Sequence, residues 1–191
     1  MDDAIGRILD QIDASGLRES TLVIFLSDNG AFMLPDRGLE VASNAPFRAG
    51  GVTLYEGGIR VPCIVRWPSE IPAGSTCDEP LISLDLLPLA LAAAEVEPPL
   101  DLTLDGLDPT EALTGRGPSP HDTLVFAWRE GEAAVRRGPF KLHRPRSDAP
   151  WALYDLDADL GETRDLAADR PSIVAELSLA FDHWSTETTR P

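Results

Sequence analysis

Positive charge is scarce in this sequence. A single lysine, Lys141, and fifteen arginines face 32 acidic residues, for a formal net charge of −16 at pH 7. A chain of that sign repels phosphate backbones and anionic headgroups, which argues against nucleic acid and membrane surfaces as partners. The acids are scattered and read as a solvated acidic surface. Cysteine is equally short. Cys63 and Cys77 are too few for a disulfide framework, and Cys63, in an apolar run, reads as a small buried hydrophobe. No stretch approaches the roughly eighteen consecutive apolar residues that a membrane helix needs. No basic segment followed by an apolar one stands at the start, so no signal peptide is legible. Internal repeats and low-complexity tracts are absent.

What is present centres on Thr21-Leu22-Val23-Ile24-Phe25-Leu26-Ser27-Asp28-Asn29-Gly30. The unbroken apolar run predicts a strand buried on both faces, as in an α/β sheet. Ligands of such sheets bind beyond the carboxyl ends of the strands, where Asp28 and Asn29 stand. Before it, Ile5, Ile8, Leu9 and Ile12 share one face of a helix predicted over 3–15, ended by Gly16. After it, 31–58 is rich in glycine and proline yet keeps Phe32, Phe47, Leu54 and Tyr55, which points to a functional loop. A second strand is expected within 59–67, bent or at an edge because of Pro62. Ser83 is the expected cap of a helix over 84–95, and a short helix is expected at 109–113. Short strands at 123–128, 133–137, 140–143 and 152–154 predict a small antiparallel sheet, and 171–184 a closing amphipathic helix. The change of character near 115–122 divides the chain into 1–118 and 119–191.

Asp28 and Asn29 offer hard oxygen donors, suited to Ca²⁺ or Mg²⁺ and not to zinc. An Asp-Asn-Gly turn that merely ends a strand explains the same three residues. The other nearby acids, Asp36 and Glu40, lack ligand-like spacing. Arg48, Arg60 and Glu56 flank Gly50-Gly51 and Gly57-Gly58. They suit either an oxyanion such as sulfate or phosphate, or an Arg–Glu pair that pins the loop. His121, His143 and His183 stand near no nucleophile and read as surface or hydrogen-bonded histidines.

Taken together, Met1–Arg7 with Leu22–Gly30, Ser43–Arg48 with Thr53–Pro62, Leu84–Pro88, Leu104–Gly106 and Leu153–Leu156 with Gly161–Leu166 resemble the C-terminal part of the type I sulfatases, the arylsulfatase family. The resemblance implies an alkaline-phosphatase-like α/β sandwich, present in part, with a small C-terminal antiparallel sheet and a packed terminal helix. Residues 1–118 would be the C-terminal part of the catalytic domain and 119–191 a subdomain. It implies hydrolysis of a sulfate ester, on a small molecule or glycan, by a formylglycine hydrate. It makes Asp28 and Asn29 two Ca²⁺ ligands and Arg48 a candidate for substrate binding. Related readings are a phosphonate or phosphodiester hydrolase of the same superfamily and a non-catalytic sulfatase-like module.

The sequence departs from the family pattern twice. No C/S-x-P-x-R motif, the source of formylglycine, is present. Met1 matches an internal family position, so the expectation is a fragment, inactive alone, whose partner is the missing N-terminal half. The family lysine that contacts the sulfate, just before T-x-Y-E-G-G, is replaced by Gly51, and Lys141 lies too far along to stand in. Losing one such donor costs about 3–4 kcal/mol of transition-state stabilisation.

Overall fold

In a computed structural model, residues 1–32, 38 and 42–188 are described. The fold is mixed α/β, in two compact units. Met1–Leu26 and Cys63–His121 form the first; Ser27–Pro62 and Asp122–Pro191 form the second.

The first unit opens with α1 (Asp2–Ala14), followed by β1 (Val23–Leu26), β2 (Cys63–Arg66), α3 (Leu86–Ala93) and α4 (Thr110–Leu113). Acidic Asp2 and Asp3 sit in the first turn of α1, where they favour the helix dipole, and Gly16 follows the end at φ 71°. β1 pairs antiparallel with β2, Val23 opposite Arg66 and Leu26 opposite Cys63. The apolar run of β1 predicts burial on both faces, yet all four of its residues are half-buried. Among the described residues β2 is the one strand hydrogen-bonded to it, so a full sheet does not surround it. Cys63, expected inside, is exposed, because the first two residues of β2 face solvent. The helix expected from Ser83 starts as a 3₁₀ turn, Ser83–Asp85, and Ser83 makes no side-chain cap. Asp85 does that work, accepting the Ile82 amide at 3.0 Å and the Leu107 amide at 3.0 Å.

The second unit holds the short α2 (Glu56–Ile59), a four-stranded antiparallel sheet and the closing helix. The strands are β3 (Leu124–Ala127), β4 (Ala133–Arg137), β5 (Phe140–Arg144) and β6 (Ala152–Asp155), paired in sequence order; α5 spans Pro171–Thr188. Val135, Leu142 and Leu153 lie in register across three strands and, with Ala133, pack against Leu177 and Phe181 of α5. Side chains alternate along a strand, so the opposite face carries Ala134, Lys141, His143 and Tyr154. An alternating polar face ordinarily meets water. Here Lys141 and His143 are both 0% exposed. The loop carrying Tyr55 and Glu56 lies on them, His143 stacking on Tyr55 at 4.1 Å between ring centroids.

Candidate functional site

Ser27–Gly30 continue from the end of β1 as a compact turn. The Ser27 amide donates to Pro62 O at 3.2 Å and its hydroxyl to Asn29 O at 2.9 Å. The Asn29 amide donates to Asp28 Oδ1 at 3.0 Å, so the Asp28 carboxylate makes a local turn contact while remaining exposed to solvent. Gly30 is buried, and its amide donates to Gly58 O at 2.9 Å. A Cβ on Gly30 would stand 1.7 Å from Gly57 O, an approach that only glycine permits.

The loop that meets this turn is held by backbone and amide contacts. Asn44 accepts the Ala31 amide at 2.9 Å and donates to Ala31 O and Ala49 O at 2.8 and 3.0 Å. The Gly51 amide donates to Ala31 O at 3.1 Å. A Cβ at Gly51 would stand 2.6 Å from Asn29 Oδ1 and 2.7 Å from Gly30 O. The position at which the resemblance places a lysine is thus filled by backbone and by the Asn29 amide. Its neighbour Val52 has φ 70°, a left-handed conformation that a β-branched residue adopts only under strain.

Beneath the loop lies a buried ionic network. Lys141 Nζ donates to Glu56 Oε1 at 2.8 Å. It also lies 2.9 Å from Glu162 Oε1, an ion pair without hydrogen-bond geometry. Glu162 Oε2 accepts the Glu56 amide at 2.7 Å. Arg60 and Arg136 each approach Glu56 Oε2 to 3.9 Å. Burial raises the pKa of Glu162, and Lys141 opposes the rise. Arg60 meets Glu56 within one helical turn, and the contacts that tie this loop to the sheet and beyond run through Lys141 and Glu162.

Arg48 is also engaged within the unit. Its Nη1 donates to Glu162 O at 2.7 Å and to the Tyr154 hydroxyl at 3.3 Å, and its guanidinium lies 4.1 Å above the Tyr55 ring. Burial, then Tyr55, pushes the Tyr154 hydroxyl up to about 12, so it stays protonated. His143 Nε2 lies 3.0 Å from Glu132 Oε1, the oxygen that also accepts the Leu54 amide at 2.9 Å. Burial lowers the pKa of His143, against Glu132, which raises it. Of the other histidines, His121 is held by Asp85 at 2.8 Å and His183 by Glu187 at 3.4 Å.

The turn and the loop bring Asn29, Gly30, Gly51, Gly57 and Gly58 together. Asp28 and Asn29 supply two hard oxygens, which match a hard cation in kind but not in number, since such an ion takes about six to eight. Among the described residues no group of three or more His, Cys, Asp or Glu side chains is gathered to hold a metal. Asp36 and Glu40 lie outside the described residues. A groove of about 840 Å³ in the first unit, bordered by Glu19, Leu22, Ile24, Trp67 and Ala90, contains none of the nominated residues. Glu132 and Glu162 carry no local sequence signal, whereas His143 is the hydrogen-bonded histidine that the sequence allows. The legible signal was the period-2 pattern of β5, which puts Lys141 and His143 on one face.

Comparison with known proteins gives a consistent picture. A family profile described as Sulfatase matches residues 1–96, and one described as N-sulphoglucosamine sulphohydrolase, C-terminal, matches residues 52–183. Arylsulfatase A of Homo sapiens is 37% identical over 184 residues, covering 93% of this chain and 35% of that protein. The chain therefore spans about a third of the length of such curated relatives. The crystal structure of Ps i-CgsB in complex with k-i-k-neocarrahexaose superposes with a TM-score of 0.84 at 26% identity, over 96% of this chain and 40% of that one. The phosphonate monoester hydrolase SpPMH from Silicibacter pomeroyi gives 0.69 at 25% identity, over 97% and 38%. No described helix is long and apolar enough to cross a membrane.

Proposed function

Because the chain belongs to the sulfatase family, we propose that it is the C-terminal part of a hydrolase of sulfate esters, with a small molecule or glycan as substrate. The observation that carries this reading is the Ser27–Gly30 turn seated on the Gly50–Gly58 loop, with Asp28 and Asn29 at its rim. In this reading Asp28 and Asn29 lend two oxygens to Ca²⁺. When bound, such an ion draws negative charge toward itself and orients a sulfate oxygen. The remaining ligands belong to the part of the family domain that this chain does not span, the N-terminal half, which is the expected partner. Arg48 is retained as a substrate-side candidate by its place in the loop. Residues 1–118 act as part of the catalytic α/β domain and 119–191 as its subdomain.

Formylglycine does not fit this chain, because no residue stands in a C/S-x-P-x-R motif. No catalytic step is therefore assigned to it, and the 191-residue chain alone is expected to turn over no sulfate ester. An assay of the purified chain with an aryl sulfate and Ca²⁺ tests this. Turnover that Asp28→Ala abolishes would overturn the reading. A phosphonate or phosphodiester hydrolase is the second reading, favoured by glycine at position 51 and by the likeness to the phosphonate monoester hydrolase. Upstream coding sequence joined to this chain, assayed on both ester classes, separates the two.

A further inference from the structure

The chain's one lysine is spent inside the molecule. Lys141, Glu56 and Glu162 are 0%, 2% and 0% exposed, and the ammonium stands between the two carboxylates. Unpaired, any one of the three would be costly to bury. The contacts continue toward the turn. Glu56 begins α2, and the next two residues are Gly57 and Gly58, whose backbone seats Gly30. The Gly57 amide donates to Arg48 O at 2.9 Å, and the Arg48 guanidinium returns to Glu162 O at 2.7 Å. Lys141, Glu56, Gly57, Arg48 and Glu162 thereby close a ring, and Gly30 hangs from it by its bond to Gly58 O.

We propose that Lys141 is a positioning residue: through Glu56 it sets the Gly57–Gly58 backbone against which Gly30 packs, and so sets where Asp28 and Asn29 stand. It touches no substrate. An apolar core could hold the loop as tightly, but a charged, directional network holds it in one register. The inference rests on the proposed site at Asp28 and Asn29 for its relevance to function, while the geometry it describes stands apart from it.

Amide hydrogen exchange of the 191-residue chain, followed by NMR without metal, tests the proposal. In Glu56→Ala, the Gly30 and Gly57 amides should exchange about 100-fold faster, at least about tenfold more acceleration than the β4–β5 ladder amides show; Lys141→Met, which also lowers global stability, accelerates the ladder as well. Glu56→Gln keeps an acceptor for Nζ and should restore near wild-type protection at both glycines. Unchanged protection at Gly30 and Gly57 in Glu56→Ala, or equal acceleration of the ladder, would overturn the proposal. If Lys141→Met fails to fold, the contrast between Glu56→Ala and Glu56→Gln decides. Adding Ca²⁺ to the wild type afterwards reads the metal separately. An absence of shifts at Asp28 and Asn29 would refute the Ca²⁺ reading and leave the exchange result intact.

Discussion

The two sheets of this chain invert the usual relation between composition and burial. β1 is Val-Ile-Phe-Leu and remains half-buried; β5 is Phe-Lys-Leu-His-Arg and buries its lysine and histidine completely. The second unit holds most of the buried apolar residues, whereas the first has Leu89 and Ala112 with the prolines Pro88 and Pro109 among the described residues. The difference shows that burial follows the layers laid on a strand more than the strand's own hydropathy. β4 and β5 have α5 on one face and the Tyr55–Glu56 loop on the other. Among the described residues, β1 has one paired neighbour.

That comparison can be broken or sharpened by substitution. The largest effect is expected at Lys141. Lys141→Met leaves Glu162 buried without its cation and Glu56 with only the more distant Arg60 and Arg136 at 3.9 Å, and should cost about 3–5 kcal/mol by urea unfolding. Next, Leu142→Ala in the packed sheet should cost about 2–5 kcal/mol, and Ile24→Ala in β1 clearly less. Equal losses at the two positions would dissolve the contrast between the sheets. Gly51→Ala should cost about 1–3 kcal/mol, because the added methyl meets the Gly30 carbonyl as well as the movable Asn29 amide. The smallest gain is expected at Val52, which is exposed and at positive φ; Val52→Gly should stabilise by about 0.5–1 kcal/mol once the entropy cost of glycine is deducted.

Acidity offers a further test. Burial depresses the proton affinity of His143, with Lys141 and Arg48 adding to the effect and Glu132 opposing it. The unfolded chain therefore binds that proton more readily. The stability His143 contributes is present above its ordinary value of 6.5 and is lost as pH falls below it. Glu162 is shifted upward, so its contribution has the opposite sense, present at low pH and lost as pH rises through the folded value. Subtracting the pH profile of His143→Gln from that of the wild type isolates the histidine. A difference profile that stays flat between pH 7.5 and 5.5 would remove His143 from the account.

Much of the fold was legible in the residues. The spacing of Ile5, Ile8, Leu9 and Ile12 marks α1, and the turn residues between short apolar runs mark β3 to β6, because both signals are local. β4 falls at 133–137, the short run that the flanking turn residues mark out. What escaped was set by distant chain. Ser83 is an ordinary cap residue, but Asp85 takes the amides, since it also reaches Leu107, 22 residues on. Lys141 and His143 carry a pattern that elsewhere means solvent; only the loop arriving from residues 54–56 makes them core. At the candidate site, Asp28, Asn29 and the glycines were readable as turn chemistry. The partners Glu132 and Glu162, 78 and 106 residues from the loop amides they accept, were not.

The contact between Gly30 and Gly57 reaches into how this sequence can vary. The obstacle at Gly30 is a main-chain carbonyl, present whatever side chain position 57 carries. No compensating change at 57 can therefore make room. A randomised library over both positions should return glycine at 30 in every folded clone, and the usual route of drift through paired substitutions is closed there.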